Sequence, residues 1–421
     1  MINLEKRKLL EKTRSKVQEH NDELVKLCSD LLSIKSENPP GDMGEIAGYV
    51  KDYLSEAGCR CEVVEPERGR VSIVSTIGEG EHPHLVFNGH MDVVPAGDLS
   101  RWSFDPYGGE VKDGWLLGRG ASDMKCGTGG MLFAFRTIAE LDVDLPGRLT
   151  IMAVPDEETG SRFGTRYLLD KGIITGDACI VGEPTGPNLV EIGQKGSVGG
   201  LIKVEGSPIH SSLSPVRGDS AVVKMARLLP YILEIHEREF EPPSEIMDVI
   251  EDNRLLYKEL AGDGVEKMLT HASVNFGVIQ GGTKSNIVPE SCECTLDMRI
   301  PQGADHNEVM RMLEEAVRRS GVDGVTLEVR GRNAFYFSPE ERIVKVAGRN
   351  VKEVLGVSPR LFIQWACSDV AAYYQKGIPT IQFGPHGLGI HGYDEKVRIE
   401  NVVNAAKIYA SSAIDFIVED Y

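Results

Sequence analysis

No C-x-x-C pair and no disulfide-style cysteine spacing occurs in the 421 residues. The eight cysteines are scattered, so reduced thiols and a cytoplasmic location are expected. Cys59/Cys61 and Cys292/Cys294 read as buried thiols sharing one face of a strand. No run approaches the ~20 apolar residues that span a bilayer. The opening stretch "MINLEKRKLLEKTRSKVQEHNDELVKL" is charged throughout and has no apolar core of a signal peptide. It reads as an amphipathic helix, and no membrane partner is expected. Basic charge is scarce, with 46 Lys and Arg against 64 Asp and Glu for a net charge of −18. That excludes nucleic acid, whose phosphates need a basic face. The nucleophile elbow G-x-S-x-G and the P-loop are absent too. "HEREF" begins like a zincin motif, but Phe240 stands where its second histidine must. "GRGASDMKCGTGG" lacks dinucleotide spacing, and Asp123 inside it would repel a phosphate.

What remains is a globular composition, 41% hydrophobic with a mean hydropathy of −0.18, long enough for two or three domains. Short β-like runs ("CEVVE", "RVSIVSTI", "HLVFN", "LTIMAVP", "ACIVGEP") alternate with helical patterns over about 128–140 and at "RFGTRYLLDKG". This pattern predicts an α/β layer with a mixed, largely parallel sheet. From Gly193 the character changes. "LVEIGQKGSVGGLIKVEG" reads as a hairpin, followed by a helix over 219–236, strands at 272–279 and 290–300, a helix over 306–320 and a strand at 325–330. Strand, helix, strand, strand, helix, strand predicts an inserted α+β, ferredoxin-like module over 197–332, leaving 1–196 and 333–421 as one discontinuous domain. The Glu-, Pro- and Asp-rich stretch 238–265 reads as surface of the insert, and a helix from Glu400 to about Val418 closes the fold.

Four predicted strand ends of the α/β layer finish in chemistry. They are His90-Met-Asp92, Asp123 in "GRGASDMK", Asp156-Glu157-Glu158 in "PDEETG", and Glu183 in "VGEP". A single histidine among apolar residues is ordinarily a satisfied core residue. Carboxylates gathered beyond the carboxyl ends of strands would repel one another without a cation or protons to compensate them. Imidazole and carboxylate donors suit Zn²⁺. More ligands are available than one ion needs, which points to two metals sharing a bridging carboxylate, with a water between them. Three carboxylates against two dications leave one positive charge, which stabilises hydroxide and attracts an anionic substrate.

"GHMDVVP", "GRGASDMK", "DEETG" and "GEPT" resemble the signature segments of a zinc exopeptidase and amidohydrolase family. It includes acetylornithine deacetylases, succinyl-diaminopimelate desuccinylases, aminoacylases and G-type carboxypeptidases. The resemblance continues through "HSSLSP", "GGTKSNIVPESCECTLDMRIP", "SDVAAYYQKGIPTIQFGP" and "HGYDE", and so covers nearly the whole chain in order.

The resemblance implies that His90, Asp123 and Glu183 hold one metal, and that Asp123 bridges to a second completed by Glu158 and His391. Asp92 would orient the His90 imidazole from behind. Glu157 would be the general base, moving a proton from the bridging water to the leaving amine. A cis peptide is implied at Asp123-Met124. His210, on a lid that also forms a dimer interface, would steady the oxyanion, often from the partner subunit. Asn286, Arg299 and Gly384 would contact the substrate, the guanidinium pairing with an α-carboxylate. Two departures stand out: Asp394 replaces a frequent asparagine, and His386 competes with His391 as the last ligand. Cys126 reads as a small buried residue at a helix start. The implied cofactors are two Zn²⁺, with Co²⁺ or Mn²⁺ able to substitute. The implied activity is hydrolysis of an N-acyl amino acid by a homodimer. A di- or carboxypeptidase of the same mechanism and a non-catalytic binding protein on the same scaffold are the alternatives.

Overall fold

A computed structural model describes residues 4–141 and 143–418. They form two compact units. One takes the chain as far as Ile192, Pro339–Phe362 and the stretch from Cys367 onward; the other takes Gly193–Ser338 and Ile363–Ala366.

In the first unit, strands run side by side in the order Cys61–Val64, Ser72–Ile77, Arg148–Val154, His84–His90, Ala178–Val181, Thr380–Gln382 and Leu189–Gln194. The central pairings, from Arg148–Val154 across to Thr380–Gln382, are parallel; those flanking them are antiparallel. Parallel order is thus confined to the middle of a mixed sheet. His84–His90 and Ala178–Val181 are buried at every residue, because helices cover both faces of central parallel strands. Helix Lys125–Ala139, also buried almost throughout, packs on this sheet and against helices Asn21–Ser33 and Ile399–Ile417. Gly89 permits that approach, since a Cβ there would stand 2.5 Å from Thr128 Oγ1. The Thr128 hydroxyl then donates to the His90 carbonyl at 2.9 Å. Phe87 packs on Tyr409 with ring centroids 5.9 Å apart, and truncating such a ring to alanine costs about 3–5 kcal/mol. A small antiparallel sheet of Gly387–Leu388, Lys396–Arg398, Trp115–Leu117 and Glu110–Lys112 carries the loop 389–395.

The N-terminal run forms two helices, Leu4–Glu19 and Asn21–Ser33, parted at His20; Met1–Asn3 lie outside the described residues. The closing helix is Ile399–Ile417. Among the described residues no helix is long and apolar enough to cross a membrane.

The second unit is a four-stranded antiparallel sheet in the order Asn275–Gly281, Ser291–Ile300, Gly196–Glu205, Val325–Arg332. Helices Ala221–Leu233 and His306–Ser320 pack on it, giving the ferredoxin-like order. Ser291–Ile300 alternates exposed and buried residues; its inward Cys292, Cys294, Leu296 and Met298 join Val198, Ile202, Met225, Leu228 and Leu313 in one core.

Two local expectations are corrected. Leu189–Gln194 and Gly196–Glu205 are not a hairpin: the former pairs with Thr380–Gln382 and the latter with Ser291–Ile300 and Val325–Arg332. The stretch 238–265 is not simply surface. It contains helix Met247–Ala261, which buries Val249, Ile250, Asn253, Leu256 and Tyr257, and the Tyr257 hydroxyl donates to the Ile363 carbonyl at 2.8 Å.

Candidate metal centre

The carboxyl ends of the parallel strands converge in the first unit. His90 is the last residue of its strand, Asp156–Glu158 follow Arg148–Val154, and Glu183 follows Ala178–Val181. Asp123 precedes helix Lys125–Ala139, and the Asp123–Met124 peptide is cis. Ligand atoms of His90, Asp123 and Glu158 lie within 4.8 Å of one another, as do those of His90, Glu157 and Glu183.

Asp123 divides its carboxylate between two imidazoles. Its Oδ1 is 3.1 Å from His90 Nε2, and its Oδ2 is 3.2 Å from His391 Nε2. Glu183 Oε1 stands 3.4 Å from His90 Nε2, and Glu158 Oε2 stands 3.3 Å from His391 Nε2. His391 adopts a φ of 56° in its loop. His386 makes no such contact among the described residues; its carbonyl accepts from Asn401 Nδ2.

Asp92 faces the His90 imidazole with two oxygens. Its carboxylate is 3.4 Å from His90 Nδ1, whereas its own carbonyl oxygen is at 2.8 Å. A proton on Nδ1 is accepted there, leaving Nε2 facing the carboxylates. The Asp92 carboxylate also accepts the backbone N–H of Glu157 at 3.1 Å and of Glu158 at 3.2 Å, so it fixes the turn that carries both. Asn38 Nδ2 donates to it at 2.8 Å.

The electrostatics are those of crowded acids around buried imidazoles. Burial, then the Glu183 charge, pushes the Glu157 carboxyl well above its usual range. Burial and the Asp123 charge push Glu183 up to about 8. Hydrogen bonds from His391 and His90 hold Asp123 well below its usual range despite its burial. Burial opposes the charged form of His90, yet Glu183, Asp123 and Asp92 hold it well above its ordinary value. Hydrogen bonds to Asp123 and Glu158 raise His391 to about 10. Glu158 Oε1 is buried without a hydrogen-bond partner, a cost of about 1–3 kcal/mol that a cation would remove. This donor set of imidazole nitrogens and carboxylate oxygens suits a borderline divalent ion.

Gly384 lies beside this cluster, where a Cβ would stand 2.2 Å from the Gly182 carbonyl and 2.6 Å from that of Glu183. Cys126 is buried at the start of its helix, and none of the eight cysteines, all among the described residues, is in a disulfide.

His210, Asn286 and Arg299 belong to the second unit. His210 is exposed and its Nδ1 accepts from the Ser212 backbone. The Ser211 N–H donates to the Asn286 carbonyl at 3.0 Å, so the two segments run together. Arg299 is half-buried at the end of Ser291–Ile300, with Nε 3.4 Å from Asp297.

Sequence reasoning missed Asn38 and Arg119 and used Glu395 only as a spacing mark. Asn38 sits in an unremarkable "ENPP". Arg119 and Glu395 are far apart in sequence, and only their pairing as buried charges identifies them.

Residues 86–415 match peptidase family M20/M25/M40. A succinyl-diaminopimelate desuccinylase of Cereibacter sphaeroides is 29% identical over 403 residues, covering 93% of this chain and 98% of that protein. One from Nautilia profundicola is 28% identical over 398 residues, covering 92% and 97%. Among solved structures, the M20 family metallo-carboxypeptidase Sso-CP2 of Sulfolobus solfataricus aligns with a TM-score of 0.78 at 20% identity, covering 94% of this chain and 99% of its own. Human carnosine dipeptidase 1 aligns with a TM-score of 0.74 at 19% identity, covering 97% and 99%. These two likenesses show the fold.

Proposed function

The chain belongs to peptidase family M20/M25/M40, a metallohydrolase of amide bonds, and from that premise we propose that it deacylates an N-acyl amino acid of the succinyl-diaminopimelate or acetylornithine type. The observation that carries the reading is the Asp123 carboxylate shared between His90 and His391. The acyl-amino-acid choice rests on the desuccinylases that align over 93% of the chain.

His90, Asp123 and Glu183 would hold one divalent cation, and Asp123, Glu158 and His391 a second, Zn²⁺ by default with Co²⁺ or Mn²⁺ able to substitute. Two such cations supply Lewis-acid polarisation of the amide carbonyl and a water acidified towards neutral pH. The remaining work falls to side chains. Glu157, whose backbone is pinned by Asp92, takes the proton of the attacking water and returns it to the leaving amine nitrogen. His210 steadies the oxyanion. Arg299 and Asn286 grip the α-carboxylate, and Gly384 leaves room at the cluster's edge.

The second unit serves as the lid and joins two copies. Its edge strand Asn275–Gly281 exposes Val278 at 51% and Ile279 at 53%, the kind of open edge that pairs with another chain. The cysteines, none of them in a disulfide, support a cytoplasmic location.

Amine release from N-succinyl-diaminopimelate, N-acetylornithine, other N-acyl amino acids and simple dipeptides, with and without chelator, tests this. Chelator-sensitive hydrolysis of one acyl amino acid is expected. Preference for dipeptides would make the protein a peptidase, and no turnover after metal loading would make it a binding protein.

A further inference from the structure

Asp123 and His391 sit on separate loops, and the spacing between them decides whether one cation can reach both. A buried ion pair ties those loops together. Glu395 Oε1 accepts the backbone N–H groups of Ser122 at 2.9 Å and Asp123 at 3.0 Å; Oε2 accepts that of Gly120 at 3.0 Å. The same Oε2 receives Arg119 Nη1 at 2.5 Å, and Arg119 Nη2 reaches back to the Gly392 carbonyl, next to His391, at 2.6 Å. The Gly118 N–H closes the ring on the Glu395 carbonyl at 3.0 Å. Arg119 is 2% exposed and Glu395 fully buried, with Trp102 lying 5.1 Å from the guanidinium carbon.

Such a pair is a poor device for stability alone. Desolvating two charges costs much of what their attraction returns, and apolar replacements are often neutral or better. What it does uniquely is aim backbone. One carboxylate gathers three amides of the loop on the Asp123 side, while its partner's second nitrogen holds the His391 loop. The two charges cancel, so the brace adds none to a cluster that already contains Asp123, Glu157, Glu158 and Glu183.

We propose that Arg119 and Glu395 are positioning residues that set the distance between Asp123 and His391 and thereby the affinity of the cation held by Asp123, Glu158 and His391. This rests on the two-cation reading above. The other site depends on the brace less, because His90 ends a central strand and Glu183 follows the next one.

The test is competition titration of metal-free wild type, Glu395→Gln and Arg119→Lys with Zn²⁺ against a chromophoric chelator, with Co²⁺ absorption spectra of each equivalent and melting of the metal-free proteins. Wild type should take up two ions. In Glu395→Gln the first should bind within about threefold of wild type and the second about 10–100-fold more weakly, the range for groups that support ligands. The Co²⁺ spectrum of the second equivalent should change, and excess metal should restore turnover. Arg119→Lys keeps a cation beside Glu395 but loses the bridge to Gly392, so it should show the same selective weakening to a smaller degree. It carries the comparison if Glu395→Gln does not fold. Two ions in wild type with the second affinity unaltered in the variants, or both affinities lowered equally, overturns the inference alone. Fewer than two ions in wild type overturns the two-cation reading and the inference with it.

Discussion

Asp123 faces His90 with one oxygen at 3.1 Å and His391 with the other at 3.2 Å. A single carboxylate holding two imidazoles on opposite oxygens suits the proposed pair of cations, and it makes the two histidines separable. His90→Ala should weaken one ion and His391→Ala the other, each by more than the ~10–100-fold typical of supporting partners. Metal content by mass spectrometry after dialysis, compared between the two variants, checks this. Normal metal content in either would remove that histidine from the ligand set.

Glu157 is as close to the cluster as the proposed ligands, so geometry alone does not separate base from ligand. As base, Glu157→Gln should keep both ions and lose about 10²–10⁴-fold in kcat. Metal lost in step with turnover would mean that Glu157 binds the ion.

The pH dependence of metal binding follows from the metal-free cluster. His391 is raised to about 10 and Glu183 to about 8, so both hold protons at pH 7 that a cation must displace. A raised histidine stabilises the metal-free fold fully below its unfolded value near 6.5 and loses that contribution as pH climbs towards 10. A raised carboxyl likewise makes the metal-free fold lose stability between about pH 4.3 and 8. Both signs agree: the metal-free protein weakens as pH rises while cations bind more tightly. The melting difference between loaded and metal-free protein should therefore widen from pH 6 to pH 8, and loading at pH 7 should release protons. A constant gap with no proton release would contradict the arrangement.

His210 lies in the second unit, so its role can be separated from metal binding. His210→Ala should lower kcat well beyond any change in metal content. Mixing His210→Ala with Glu157→Ala chains should recover activity if the histidine is supplied by a partner subunit. No recovery would assign it to its own chain.

At Gly384 even a Cβ has no room. Gly384→Ala must displace the Gly182 and Glu183 carbonyls, so the ion held with His90 should weaken more than the one held with His391. Equal weakening of both would show that the strain spreads beyond Glu183.

How much of this was legible in the sequence depended on whether the signal was local. His90, Asp156–Glu158 and Glu183 each end an apolar run, and that pattern alone placed them at strand ends. The module of the second unit was legible because Ser291–Ile300 alternates and His306–Ser320 keeps a helical period. Leu189–Gln194 and Gly196–Glu205 were misread because a single residue, Lys195, separates two β-like runs, and sequence proximity mimics a hairpin when the strands join different sheets. Helix Met247–Ala261 was hidden by its acidic surface, although Val249, Ile250, Asn253, Leu256 and Tyr257 share a buried face. Asn38 and the Arg119–Glu395 pair were invisible because their meaning lies in contacts across the fold, not in any spacing.

The most direct measurement is metal stoichiometry in wild type and Asp123→Ala, equilibrated side by side with Zn²⁺ and freed of loosely bound ion. Two ions per wild-type chain, with neither retained tightly in Asp123→Ala, is the predicted result. A wild-type chain that holds one ion or none, or an Asp123→Ala chain that keeps two, would contradict the shared-carboxylate account.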